Sequence, residues 1–239
     1  MKPAVACTAF LLASPVCAQA EASLLPEGSV DVAVAAVAGI VPAAPGSAAR
    51  KAFLLPQFYA EWSNGMFIDG FAAGIQLSRD PQWKFGPMVA LDLGAQRTDG
   101  SHRGMRPVFG AFADYMPMRE LNLHAHAVAP AGRDGNGMLV NLRAGTPVLQ
   151  GAHAVLAIGL GANLADAGYT QSVFGTARYQ ASGGVRDVFA DAHWTWQMSR
   201  KTTLKASLQS SVLQGDAAAS PRTAQRTGTA ALVALRYGF

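Results

Sequence analysis

The sequence predicts an all-β fold, an antiparallel transmembrane β-barrel of ten or twelve strands with twelve favoured. Three features predict it: an export leader at the N-terminus, an amphipathic last strand that stops on an aromatic residue, and apolar/polar alternation between turn signals through most of the chain.

The leader consists of Lys2, an apolar stretch from Ala4 to Val16 and the small-x-small triplet Ala18-Gln19-Ala20. A signal peptidase reads that pattern, so residues 1–20 are expected to be cleaved and 21–239 to form one barrel domain. The apolar stretch falls short of the roughly 20 residues that a permanent membrane helix needs. A lipoprotein signal at Cys17 would want a small residue before it and an aliphatic one three before, where Val16 and Ser14 stand.

Both cysteines, Cys7 and Cys17, lie in the leader. The exported chain therefore has no disulfide, Cys-bound metal or Cys nucleophile to offer. Its 19 basic residues against 15 acidic ones, one of the former in the leader, form no clustered patch and give no reason to expect nucleic acid. After the leader there is no apolar run of membrane-helix length, so any crossing must be made by strands.

The last segment shows the pattern most clearly. Ala231, Val233, Leu235, Tyr237 and Phe239 fall on one face, Arg236 and Gly238 on the other. Leu235, Tyr237 and the terminal Phe239 form the kind of C-terminal signal that the outer-membrane assembly machinery reads in barrels. Upstream, Phe85, Pro87, Val89 and Leu91 alternate with Lys84, Gly86, Met88 and Asp92. Val140, Leu142 and Ala144 alternate with Asn141, Arg143 and Gly145, and Leu204, Ala206 and Leu208 with Lys205, Ser207 and Gln209. Apolar residues toward lipid and polar ones toward a lumen produce this alternation. A soluble sandwich alternates too, so the two chain ends decide between them.

Turn signals such as Asn64-Gly65, Asp99-Gly100 and Gly215-Asp216 separate strands near 31–40, 53–62, 66–77, 84–97, 105–117, 120–129, 137–147, 152–163, 186–198, 202–213 and 228–239. That is an odd number, whereas single-chain bacterial barrels have an even one. Either a strand is hidden, with 164–185 as the candidate segment, or the Ala-rich run 31–40 does not span. Counted back from Phe239, the long connections fall on one side and the short ones on the other, as a barrel requires. Phe58, Tyr59, Trp62, Phe67, Trp83, Tyr115, Trp194, Trp196 and Tyr237 lie near strand ends, where interfacial girdles are found.

The polar residues expected to face the lumen are Lys84, Asp92, Arg143, Asp187, His193, Lys205 and Arg236. His124 and His126 share a face, as do Asp187, Asp191 and His193. Such sets could hold a metal or relay protons, but a polar lumen supplies them without any chemistry. No HExxH, GxSxG or phosphate-binding glycine loop is present, and Ser207 or Ser211 near His193 has no orienting acid that the sequence can place. Asp134 and Asn136 among glycines read as a hairpin tip rather than a calcium loop. No catalytic residue, cofactor or metal is expected.

Two longer stretches resemble a known family. Ala165-Asp166-Ala167-Gly168-Tyr169-Thr170-Gln171-Ser172-Val173-Phe174-Gly175, with Ser182-Gly183 and Arg186-Asp187-Val188 after it, is similar to the AD-x-x-YMQ-S/T-YFG... SG... KDV stretch of the MipA/OmpV family. Leu213 to Pro221 resembles its L-x-GDAADSP loop, Tyr237-Gly238-Phe239 its closing YRF, and Leu55-Pro56 to Phe67 its first hairpin. The chain departs from the pattern at Leu164, Thr170 and Ala219, and Val41–Arg50 is Pro/Ala-rich where the family has an acidic, Tyr-rich loop. The resemblance implies an outer-membrane barrel in contact with lipid. It also implies a scaffold that bridges a lytic murein transglycosylase to a penicillin-binding murein synthase in peptidoglycan assembly. Adhesin and porin-like roles are the alternatives within the family. Lys84, Asp92, Arg143, Lys205 and Arg236 motivate the channel alternative, and a barrel lipid hydrolase using His193 is a third reading.

Overall fold

A computed structural model describes residues 26–92, 105–130 and 137–239. The leader, His102, Asp134 and Asn136 lie outside them. Among the described residues the chain forms β1 (Val30–Pro42), β2 (Arg50–Trp62), β3 (Met66–Asp69), β4 (Ala72–Ile75), β5 (Trp83–Asp92), β6 (Arg106–Met118), β7 (Leu121–Pro130), β8 (Leu139–Gln150), β9 (Ala154–Ala165), β10 (Gly184–Gln197), β11 (Thr202–Leu213) and β12 (Thr227–Gly238), with helices α1 (Ala167–Phe174) and α2 (Gly215–Ala219) in two of the loops. Each strand pairs antiparallel with the next, and β1 closes on β12 from Ala33 opposite Gly238 to Ile40 opposite Ala231.

The even count has a different origin from either expectation. The Ala-rich run 31–40 does span, because β1 is paired along both edges, and 164–185 holds α1 rather than a strand. The extra strand comes from 66–77, which folds as the short hairpin β3–β4. Asp69 pairs with Ala72 around a two-residue turn whose Gly70 has φ 59°. A positive φ at the first central position is the turn that matches strand twist, and only glycine adopts it without strain.

With twelve strands, both chain ends lie at one end of the barrel, here the terminal end. Connections 63–65, 119–120, 151–153 and 198–201 are there, while 166–183 and 214–226, with the helices, close the distal end. In a barrel of this kind the terminal end faces the periplasm.

Alternation sorts each strand into two chemistries. On β1, Ala33, Ala35, Val37 and Val41 are buried while Val34 and Ile40 are exposed. The exposed set continues round the outside through Leu54, Phe85, Val89, Phe109, Leu142, Leu160, Leu208, Val233 and Leu235. A continuous apolar exterior of this kind is stable in lipid and a liability in water. At the terminal end Trp83 stacks on Tyr115 at 4.1 Å, Trp194 on Trp196 at 5.9 Å, and Tyr237 meets Phe239 edge-on at 5.4 Å. These pairs form a girdle, which Tyr59 and Phe67 do not join because both line the interior. Part of the interior is filled by two apolar clusters. One joins Val108, Val128, Leu139 and Ala165 with Ala90 and Tyr169. The other joins Ala35, Val37 and Leu232 with Phe53, Tyr59 and Ala234.

Candidate functional site

The inward residues of β8, β9 and β10 build two buried polar clusters. Asn141 Nδ2 donates to Asn163 Oδ1 at 2.8 Å, and Asn163 Nδ2 to Asp187 Oδ1 at 2.7 Å. Asp187 also pairs with Arg186, which donates to the Tyr169 hydroxyl on α1 at 2.9 Å. Arg143 forms a fork with Asp191, through Nε at 2.8 Å and Nη2 at 2.6 Å. Bidentate geometry and removal from water make this the stronger kind of ion pair. The guanidinium crosses over β9, which has Gly159 and Gly161 there. A Cβ at Gly145 or Gly159 would come within 2.5 or 2.6 Å of it, and one at Gly161 within 2.3 Å of the Phe189 ring. Glycine inside a strand here makes room for side chains of the neighbouring strands.

The wall from β2 to β7 is built differently. It encloses a cavity of about 280 Å³ lined by Tyr59, Phe67, Asp69, Lys84, Met88, Phe112, Asp114, His124, His126 and Arg236 among others. Arg236 lies 5.1 Å over the Tyr59 ring and 3.8 Å from Asp31. His124 Nδ1 is 2.6 Å from Asp114 Oδ1, and its Nε2 is 3.1 Å from His126 Nδ1. Asp69 and Lys84 have neither a hydrogen bond nor an ion pair within 4.0 Å; Lys205 and Arg236 act on Asp69 only at longer range. Asp31 is 51% exposed at the terminal end, so the cavity has its mouth on that side.

The two family-like stretches meet over the distal end. Asp166 caps α1 by accepting from the Tyr169 amide at 2.7 Å, as a residue just before a helix should. Ser182 donates from its amide (2.7 Å) and hydroxyl (2.5 Å) to Asp216 Oδ2, and the Tyr179 hydroxyl donates to the Asp216 carbonyl at 2.9 Å. Ser220 donates to the Phe174 carbonyl at 2.6 Å, and Phe174, Leu213 and Ala217 pack together. The Ser182 hydrogen bonds hold the Asp216 carboxyl below the usual carboxylate range. Desolvation, then the Asp216 charge, pushes the Tyr179 hydroxyl up.

Of the seven polar positions singled out from sequence, Arg143 and Asp187 are buried in the network. His193 Nε2 lies 3.1 Å from Asp191 Oδ1 without a hydrogen bond, and Ser207 faces it in register. Asp92 pairs with Arg106 at 3.3 Å, Lys84 and Arg236 line the cavity, and Lys205 sits on β11 opposite Thr195 and Ala234. Leu235, Tyr237 and Phe239 are exposed on the outer face. Sequence reading missed Asp69 and Asp114. The alternation of Phe67 with Asp69 carried a signal for the first, but the apolar run around it masked that signal. The described residues contain no group of three or more His, Cys, Asp or Glu that could hold a metal ion.

Similar architecture is found in solved barrels at low identity. The NanC porin matches with a TM-score of 0.54 and 11% identity, over 85% of this chain and 98% of that one. A bacterial polysaccharide outer membrane secretin matches with a TM-score of 0.52 and 9% identity, over 89% and 99%. These likenesses concern the fold alone, and no curated protein matches the chain. A family model described as MltA-interacting protein MipA covers residues 34–239. Reaching from the first strand to the last residue, over a closed barrel with a lipid-facing exterior, that match makes the chain a member of the MipA family and an outer-membrane β-barrel.

Proposed function

We propose that the protein is a non-catalytic scaffold, presenting its periplasmic rim to a lytic murein transglycosylase and a penicillin-binding murein synthase. The observation that carries this reading is the filled interior. Apolar clusters occupy part of the lumen, buried ions cross another part, and two helices pack over the distal end. A wall of twelve strands is also narrower than that of porins with roughly 16 to 18 strands, which leave a wide aqueous channel. The family's description, MltA-interacting protein, supports a murein-enzyme partner. A docking role needs a surface rather than a reacting constellation.

In this reading residues 1–20 are removed on export, and Leu235, Tyr237 and Phe239 guide insertion. Affinity capture from detergent-solubilised envelopes tests it. A murein hydrolase or synthase should co-purify with the tagged barrel, and recovery of neither refutes the scaffold. The cavity at the terminal end favours a channel as the second reading. Planar-bilayer recordings are expected to show no openings, and regular unitary conductance would reverse the order of the two.

A further inference from the structure

We infer that the cavity at the periplasmic end binds a small zwitterion with an apolar body, an amino acid or dipeptide. The inference is independent of the scaffold reading and stands on the cavity's own charges.

Asp69 and Lys84 bring an acid and a base to one cavity, yet neither makes an ion pair or a hydrogen bond there. Both positions are fixed by the sheet. Asp69 is held at the tip of the β3–β4 hairpin, paired with Tyr59 on one side and Ala72 on the other. Lys84 is set opposite Asp114 near the start of β5. A charge drawn into a protein interior is costly unless something complements it. Elsewhere in this barrel the complement is protein, as for Arg143 and Asp191. Here the protein offers only longer-range partners, Lys205 and Arg236 for Asp69 and the cross-strand Asp114 for Lys84, and the space beside them is an open cavity of about 280 Å³, close to the small end of the range for ligand sites.

The wall shared by these charges is apolar. Phe67 meets Phe112 edge-on at 5.3 Å, and Met88 lines the same cavity. A ligand ammonium would pair with Asp69, a ligand carboxylate with Lys84, and an apolar side chain would lie on Phe67, Phe112 and Met88. A purely anionic solute would meet Asp31, Glu61, Asp69 and Asp114 in the same lining, and a purely cationic one would leave Lys84 uncompensated. The mouth by Asp31 and Arg236 admits the ligand from the periplasmic side.

Calorimetry on the full exported protein in detergent micelles tests this, with phenylalanyl-alanine and its N-acetylated, C-amidated form as probes. The free dipeptide should bind saturably with Kd on the order of 1 mM or tighter, and the blocked form at least tenfold more weakly. Asp69→Asn and Lys84→Met should each weaken binding of the free dipeptide about tenfold, the loss of one charge-assisted contact. Absence of saturable binding, equal binding of both probes, or either folded variant binding as the wild type does would overturn the inference. Should a variant fail to fold, the comparison of the two probes on the wild-type protein decides alone. A negative capture experiment for murein enzymes would leave all these outcomes unchanged.

Discussion

On β8 and β10 the inward charges Arg143, Asp187 and Asp191 are buried and hydrogen-bonded, whereas along β3 to β5 Asp69 and Lys84 face free space. Arg143 and Asp191 act as mortar between strands, and Asp69 and Lys84 are left available. The difference separates groups the fold depends on from groups it merely carries, although both kinds look alike as polar positions in an alternating strand.

Removing one carboxylate from each wall gives the largest contrast. Asp191→Ala leaves the Arg143 guanidinium buried without its partner and should cost about 3–5 kcal/mol. Asp69→Asn removes no partner and should stay within about 0.5 kcal/mol. Urea unfolding of the protein reconstituted in liposomes measures both. Equal destabilisation would erase the distinction between the walls. Replacing the ion pair together, Arg143→Met with Asp191→Leu, should recover most of the loss, since no charge is then stranded.

The outer face of the same wall offers the next test. Leu160, mid-strand on β9 and 69% exposed, points away from the network. Leu160→Arg should destabilise the reconstituted barrel by about 2–4 kcal/mol, the cost of a cation near the bilayer midplane. A soluble protein would tolerate that change at so exposed a position. A neutral result would thus remove the lipid-facing assignment while leaving the interior network untouched.

A smaller effect is expected from Gly159→Ala, whose methyl would lie 2.6 Å from the Arg143 guanidinium. Because Asp191 pins that group, it has little freedom to withdraw. Overpacking of this kind costs about 1–3 kcal/mol. Combined with Arg143→Met, the same substitution should become nearly neutral, which a double-mutant cycle reads directly.

Much of this was visible in the sequence, and the parts that were not have physical causes. The exterior and the strand order followed from dyad alternation, because lipid outside and polar groups inside impose it on every long strand. The β3–β4 hairpin escaped because its Asp69-Gly70 turn sits inside an apolar run whose strands are only four residues each. So short a segment carries too few alternations to separate one strand from two. Helix α1 escaped for a related reason: eight residues give about two turns, and only the Asp166 cap marks its start. Arg143, Asp187 and Lys84 were legible as inward positions. Whether each would be paired or free depended on β9 glycines and on a hairpin tip, contacts that no local pattern encodes.

The distal cap provides the smallest effect and the finest test of the same contrast, since its carboxylate is paired yet exposed. Asp216 accepts from the Ser182 amide and hydroxyl, and these bonds hold its carboxyl below the ordinary range. A folded-state value below the unfolded one stabilises above the ordinary carboxylate pKa of roughly 4 and ceases to do so as pH falls through the depressed value. The loop 166–183 should therefore loosen in acid while the barrel remains closed. Pepsin, active in that range, should cut the loop several-fold faster as pH drops. Asp216→Asn should cut at the fast rate throughout and lose the pH dependence, and Ser182→Ala should move its midpoint upward. Because the bonds are exposed to solvent, the unfolding midpoint of the barrel should not shift. If it did, the cap would belong to the structural wall, and the boundary between paired groups that hold the fold and paired groups that only order a loop would have to be redrawn.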